Sequence, residues 1–312
     1  MTMEGIPMSN GITGDPGSQG RATSSGGDGR AVELRGAPVA KAICAGLAPR
    51  VEALVASGVT PRLAIVRVGE NPGDLAYERG ARSRMDKVGV ACDVSALPAN
   101  VSQAELEGVI SSYAADPLTH GILLLRPLPR EMDEDAVVVC VPGAKDVDGM
   151  TPASLASTFL GKGEGFAPCT AEAVVRLLDH YEVPLEGARC VVVGRSLVVG
   201  RPLSQLLLSR NATVTVCHSR TRDLAAACRE ADVLVSCMGR AHSIARDMVS
   251  GGAVVVDVGT NDDGAGGITG DVDFDAVSEV VRAVTPVPGG VGSVTTSVLA
   301  SHVVEAAERT LG

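Results

Sequence analysis

The chain has 312 residues, of which 45% are hydrophobic and 2% aromatic, and it carries a formal net charge of −10. That length holds two domains, the negative balance with scattered Lys and Arg argues against a nucleic-acid partner, and no apolar run reaches membrane-spanning length. Eight cysteines form no CxxC pair and no Cys/His metal-ligand spacing, so they read as reduced core residues of a cytoplasmic protein without a secretory signal or a metal.

Residues 1 to 30 are rich in Gly and Ser and poor in large apolar side chains, so the sequence predicts a disordered tail. Apolar periodicity starts near Ala31, where Val39, Ile43, Leu47, Val51 and Leu54 predict a helix leading into a strand over 63–66. A helix over 74–87, a strand over 91–95, a helix over 103–115 and a strand over 121–125 follow. Alternating strands and helices imply an α/β fold whose parallel sheet is covered by helices. The turn-forming segment PGAKDVDG at 142–149, which carries Asp146 and Asp148, marks a domain crossing.

The most informative stretch is 190–221. A β-branched run over 190–193 predicts a buried strand, Gly194 follows it at once, and Gly200 precedes Arg201-Pro202 with Leu203, Leu206 and Leu207 at helical spacing. A helix N-terminus facing a glycine loop can hold a pyrophosphate. The spacing is Gly-x5-Gly rather than Gly-x-Gly-x-x-Gly, so the usual fingerprint misses it. The next strand, over 212–217, ends in His218-Ser219-Arg220-Thr221, where an acidic residue would suit NAD and a cation suits the 2′-phosphate of NADP. With Arg195 in the loop, the reading is NADP, against the alternative of ordinary solvated loop residues. A further buried strand over 254–258 runs into Gly259-Thr260-Asn261. The run TPVPGGVG at 285–292 then brings backbone close to a ligand, because its prolines are too stiff for a linker.

Together, Gly69-Glu70-Asn71-Pro72, Tyr77, Pro127-Leu128-Pro129, the segments 145–149, 168–170, 193–202 and 211–221, Asp257-Val258-Gly259 and the run 286–292 make residues 31–312 resemble the methylenetetrahydrofolate dehydrogenase/cyclohydrolase family. The resemblance implies a two-domain α/β subunit. Residues 31–165 plus 293–312 would form the folate and catalytic domain, and 166–292 a Rossmann-like NADP domain, in a homodimer with the active site between domains. It implies that Gly194, Arg195, Ser196, Gly200, His218, Ser219, Arg220 and Thr260 hold NADP. Tyr77, Asp148, Pro288, Gly289, Gly290, Val291 and Gly292 would hold a tetrahydrofolate derivative, with Tyr77 and Asp148 in the catalytic cleft. Ser293-Val294 stands where the family continues with Pro-Met.

Two departures bear on activity. The family places a Lys four residues after the Tyr, one helical turn on, so that both project into the cleft; here that residue is Ala81. Arg82 lies about 100° further round the helix, and a guanidinium titrates too high to pass protons near neutral pH. The family also has Gln two residues before Pro-Leu-Pro, where this chain has Leu125; strand alternation predicts that Arg126 does not reach that place. Hydride transfer from methylenetetrahydrofolate needs mainly orientation, whereas hydrolysis of the methenyl ring needs a proton relay. The favoured expectation is therefore an NADP-dependent dehydrogenase with doubtful cyclohydrolase activity; the alternatives are a fully bifunctional enzyme and a non-catalytic folate- or NADP-binding paralogue. Asp148 is expected to accept the adjacent amino and ring N–H donors of the pterin, with Asp146 capping the turn. His120, His180 and His302 lack partners at useful spacing and are expected to be structural or exposed.

Overall fold

Two parallel sheets organise the chain in a computed structural model that describes residues 30–312; the expected tail at 1–29 lies outside the described residues. After β1 (Val32–Glu33), which joins the second sheet, the first sheet and its helices follow as α1 (Gly36–Ala56), β2 (Arg62–Val68), α2 (Pro72–Val88), β3 (Ala91–Leu97), α3 (Gln103–Ala115) and β4 (Gly121–Leu124). Its strand order is β3-β2-β4, parallel throughout. Short α4 (Glu134–Val138) and α5 (Pro152–Leu160) lead to α6 (Cys169–His180).

The second sheet follows: β5 (Arg189–Val193), α7 (Gly200–Leu208), β6 (Thr213–Cys217), α8 (Leu224–Arg229), β7 (Val233–Ser236) and β8 (Val254–Asp257). A small antiparallel pair, β9 (Asn261–Asp262) and β10 (Ile268–Thr269), precedes α9 (Phe274–Ser278), β11 (Ala283–Val284) and the last long helix, α10 (Gly292–Glu308). The order is β1-β11-β8-β7-β5-β6. From β5 the chain goes to β6 on one side and then returns to β7 on the other, so a crevice opens at the carboxyl ends of β5 and β7. The sequence groups residue 31 onwards with the first sheet. The structure instead pairs Val32 and Glu33 with Ala283 and Val284, extending the second sheet by a strand too short to show a period.

Local chemistry sets the helix ends. Helix α2 starts two residues before the expected Asp74, because the Asn71 side chain accepts from Gly73 N at 2.8 Å and Pro72 supplies a helical φ. It stops at Gly89, whose φ of +78° favours a residue without Cβ. Helix α3 opens on a capping box between Ser102 and Glu105. At its other end Lys145 donates to the carbonyls of Tyr113, Ala114 and Asp116, which makes it a helix cap outside the cleft chemistry. Helix α10 is buried along most of its length and packs against α1, α2 and α6, joining the two sheets. No helix among the described residues is long and apolar enough to cross a membrane. All eight cysteines are free.

Candidate active site

Three cavities open at the carboxyl ends of the strands, of about 520, 650 and 690 Å³. The 650 Å³ cavity lies where β5, β6 and β7 end, lined by Gly194, Arg195, Ser196, His218, Ser219, Thr221 and the segment 237–243. Its floor admits only glycine: Gly194 has φ of +139°, and a Cβ there would sit 2.4 Å from Cys237 Sγ. A Cβ on Gly200 would sit 2.2 Å from the Gly194 carbonyl oxygen, so strand and helix meet backbone to backbone. Helix α7 has no side-chain cap, which leaves its positive end for an anion. A close-packed glycine loop beside an uncapped helix fits a dinucleotide.

Arg195, Ser196, His218 and Ser219 are gathered at this cavity, but Arg220 is exposed and outside its lining. The 218–221 turn closes on itself: Arg220 N donates to His218 Nδ1 at 3.1 Å and His218 N to Thr221 Oγ1 at 2.9 Å. Arg240 and His242, absent from the sequence-derived set, line the cavity instead. Asp271 places them, accepting from the backbone N–H groups of Met238, Gly239 and Arg240. Nothing in the local sequence marks that distant carboxylate.

The 690 Å³ cavity takes Thr260, Pro288, Gly289, Gly290, Val291 and Gly292 together with Tyr77 and Asp257. Thr260 thus sits apart from the other expected nucleotide residues. Burial pushes the Asp257 carboxyl up to about 6, against the three backbone N–H groups of Val272, Asp271 and Gly259 that favour its charge. Tyr77, Gly73 and Thr170 are shared with the 520 Å³ cavity, so the two form one cleft across α2 and the start of α6. That cavity adds Asp74, Leu125, Arg126, Pro127, Asp148 and Cys169. The peptide bonds before Pro127 and Pro288 are both cis.

Asp148 is half-buried in this cleft. Burial and the neighbouring Asp146 raise its pKa to about 6, while Arg126, the Cys169 thiol and His302 hold it down. Asp146 caps the turn, accepting from Met150 N and Thr151 N at 3.1 and 2.7 Å. Burial pushes the Tyr77 hydroxyl well above its ordinary range, and the Asp148 charge adds to the effect.

The structure adds the surroundings of positions 81 and 126 and corrects the expectation that His302 lacks partners. Ala81, which stands where the family has Lys, has 0% exposure and belongs to the apolar core with Met85 and Leu125. Tyr77 packs against that core, so apolar contacts fill the space one turn after it. Arg126 lines the same cleft beside Leu125, beyond the end of β4 at Leu124. Glu134 accepts from its guanidinium at 3.0 Å and from Leu128 N at 2.9 Å, fixing Arg126 beside Asp148. His302 has partners on both ring nitrogens, Val147 O at 2.8 Å and Glu172 Oε2 at 3.0 Å. A lone histidine on an apolar helix gives no sequence signal for partners 130 and 155 residues away.

Fold and cleft define the class: a two-domain α/β protein with a dinucleotide crevice and a ligand cleft whose two halves share Gly73, Tyr77 and Thr170. Two family models match, the tetrahydrofolate dehydrogenase/cyclohydrolase catalytic domain over residues 34–148 and the NAD(P)-binding domain of the same family over 168–311. The chain belongs to the tetrahydrofolate dehydrogenase/cyclohydrolase family. It is 47% identical over 273 residues to the bifunctional protein FolD of Alkaliphilus oremlandii, covering 88% of this chain and 96% of that one. A solved structure of the bifunctional dehydrogenase/cyclohydrolase FolD from Campylobacter jejuni superposes with a TM-score of 0.87 at 37% identity, over 89% of this chain and 99% of that one. The Trypanosoma brucei methylenetetrahydrofolate dehydrogenase-cyclohydrolase, solved with NADP and an inhibitor, gives 0.85 at 33% identity, over 90% of this chain and 99% of that one.

Proposed function

We propose that this chain is an NADP-dependent 5,10-methylenetetrahydrofolate dehydrogenase whose methenyltetrahydrofolate cyclohydrolase activity is weak or absent. One observation carries the reading. Among the described residues the cleft wall holds Asp148, Arg126 and Tyr77 but no lysine, with position 81 in the core and Leu125 in the wall. NADP is supported by Arg195 and Arg240 at the dinucleotide cavity and by the NADP-bound Trypanosoma brucei relative. When bound, NADP supplies the hydride acceptor.

The chain's own residues perform the rest by orientation. The ionised Asp148 accepts the two adjacent pterin donors and so fixes the ring face. Arg126, tied to Glu134, keeps a donor beside that carboxylate and favours its charge. Tyr77 bounds both halves of the cleft, and apolar Leu125 and Pro127 limit water at the reacting carbon. Hydride transfer asks for nothing more from the protein, because the two nitrogens flanking the methylene stabilise the developing cation. Hydrolysis asks for a group that activates water and one that protonates the leaving nitrogen.

A second reading, a fully bifunctional enzyme, is favoured by Asp148 itself, since a carboxyl with pKa about 6 can exchange protons near neutral pH. Assembly as a homodimer in the cytoplasm is part of the same proposal. The test is a spectroscopic assay of the purified protein with methylenetetrahydrofolate and NADP that follows NADPH and methenyl product separately. NADPH formation with methenyltetrahydrofolate opening no faster than in buffer supports the dehydrogenase. Absence of both activities would leave the non-catalytic alternative.

A further inference from the structure

His302 is 2% exposed in the middle of α10, yet both its ring nitrogens meet acceptors. Nδ1 lies 2.8 Å from the Val147 carbonyl and Nε2 lies 3.0 Å from Glu172 Oε2. A carbonyl oxygen can only accept, so Nδ1 carries a proton. The other Glu172 oxygen accepts twice from Arg176, at 3.0 and 2.9 Å, and against burial His302 and Arg176 hold this carboxyl down to about 2, so it is an ionised acceptor and Nε2 carries a proton too. The ring is an imidazolium inside the protein. It stacks on Phe166 with centroids 4.8 Å apart, and the Arg309 guanidinium lies over the Phe166 ring at 4.3 Å.

A buried ion pair is weak evidence for stability, because desolvation offsets the attraction; its position in the fold suggests another use. Val147 O takes a second donor, the Cys169 thiol at 3.2 Å, and Asp148 O accepts from Cys169 N at 3.3 Å. The two successive carbonyls of the Val147-Asp148 segment are therefore pinned from α6 and α10, one residue or less from the cleft carboxylate. The charged and titratable groups facing the ring are Glu172 and Cys169 on α6, Glu305 on α10 itself and Asp148 on the crossing segment, with Arg176 paired to Glu172 and Arg126 facing Asp148. The ring is a buried cation on the α10 side of this segment, while Arg126 opposes Asp148 from the cleft side.

We infer that His302, paired with Glu172, is a latch that holds the Val147-Asp148 backbone and so aims the Asp148 carboxylate into the cleft; it is a positioning residue for the folate, and the inference rests on the dehydrogenase reading. A neutral ring could satisfy only one of its two acceptors. Losing the latch lets the segment relax, which weakens folate binding without touching the dinucleotide cavity.

The experiment is a double-mutant cycle of His302→Gln and Asp148→Asn, with His302→Ala beside it, read as KM and kcat for methylenetetrahydrofolate and as calorimetric Kd for tetrahydrofolate and NADP. His302→Gln raises KM and folate Kd by about tenfold, the scale of one charge-assisted hydrogen bond. It leaves NADP Kd unchanged and has little further effect on Asp148→Asn. Equal losses in both backgrounds, or no rise in folate Kd, overturn the inference. Nitrogen-15 NMR of the histidine-labelled unmodified protein adds a readout independent of turnover: both His302 ring nitrogens are protonated at neutral pH, and a neutral ring overturns the latch. An inactive unmodified protein that still binds folate refutes the dehydrogenase reading alone, since the binding cycle and ring charge still judge the latch.

Discussion

Restoring the two polar groups that this chain lacks, Ala81→Lys with Leu125→Gln, perturbs the cleft most directly. Ala81 has no accessible surface, so the lysine stem must displace core neighbours such as Met85 or push past them into the cleft. Overpacking of that kind costs about 1–3 kcal/mol, which lowers Tm by roughly 2–5 °C for a chain of this size. Leu125 is 6% exposed and lies in the same core, so Gln there gives the new ammonium a hydrogen-bond partner. A lone Lys beside Leu125 would be desolvated without a partner, which disfavours its charge. If the relay is what hydrolysis lacks, the double variant opens methenyltetrahydrofolate about 10²–10⁴-fold faster than the parent, the usual range for positioned acid–base groups. Hydride transfer changes far less, because it uses no such group. The assay follows loss of methenyl absorbance and NADPH formation in parallel, with a melting curve as control. A folded double variant that retains hydride transfer but hydrolyses no faster refutes the argument that the missing Lys and Gln withhold the second activity.

Asp148→Asn keeps the shape but not the charge of the pterin acceptor, so folate Kd rises about tenfold or more while NADP Kd stays unchanged by calorimetry. Folate affinity also falls as pH drops through about 6, because protonation removes the acceptor. Arg126→Leu moves that midpoint upward, since a cation that holds the pKa down is lost; an unmoved midpoint contradicts the placement of Arg126 beside Asp148. The stability sign is opposite to the usual carboxylate: the folded group binds its proton more tightly than the unfolded chain, so its stabilising effect is present at low pH and fades as pH rises from about 4 through about 6. Arg195→Ala narrows the NADP preference over NAD, measured as a ratio of Kd values; an unchanged ratio assigns the 2′-phosphate to Arg240.

Local pattern carried much of the fold. The β-branched runs at 63–66, 190–193 and 254–257 are buried strands whose identity needs no knowledge of neighbours. Gly194 and Gly200 were visible as backbone-approach positions, and the distances to Cys237 and to each other give the reason. Strand β1 was invisible because two residues have no period; its partner, β11, lies about 250 residues away in the chain. In the cleft, Tyr77, Asp148 and the absence of the family's Lys at position 81 all follow from the resemblance. Spacing tells which face a residue shares and not whether the core closes over it. That Arg126 also lines the cleft is not legible from alternation, which applies only while the strand lasts, and β4 ends at Leu124. His302 depends wholly on α6 and the 147–148 segment arriving beside α10, which no local window contains.

The central claim is that one half-reaction survives and the other does not. It is tested by incubating the unmodified protein with methylenetetrahydrofolate and NADP, and separately with methenyltetrahydrofolate alone, while recording NADPH and methenyl absorbance over time. NADPH formation with equimolar methenyl accumulation, and methenyl opening at the buffer rate, is the predicted result. Methenyltetrahydrofolate consumed well above the buffer rate by the unmodified protein would contradict it.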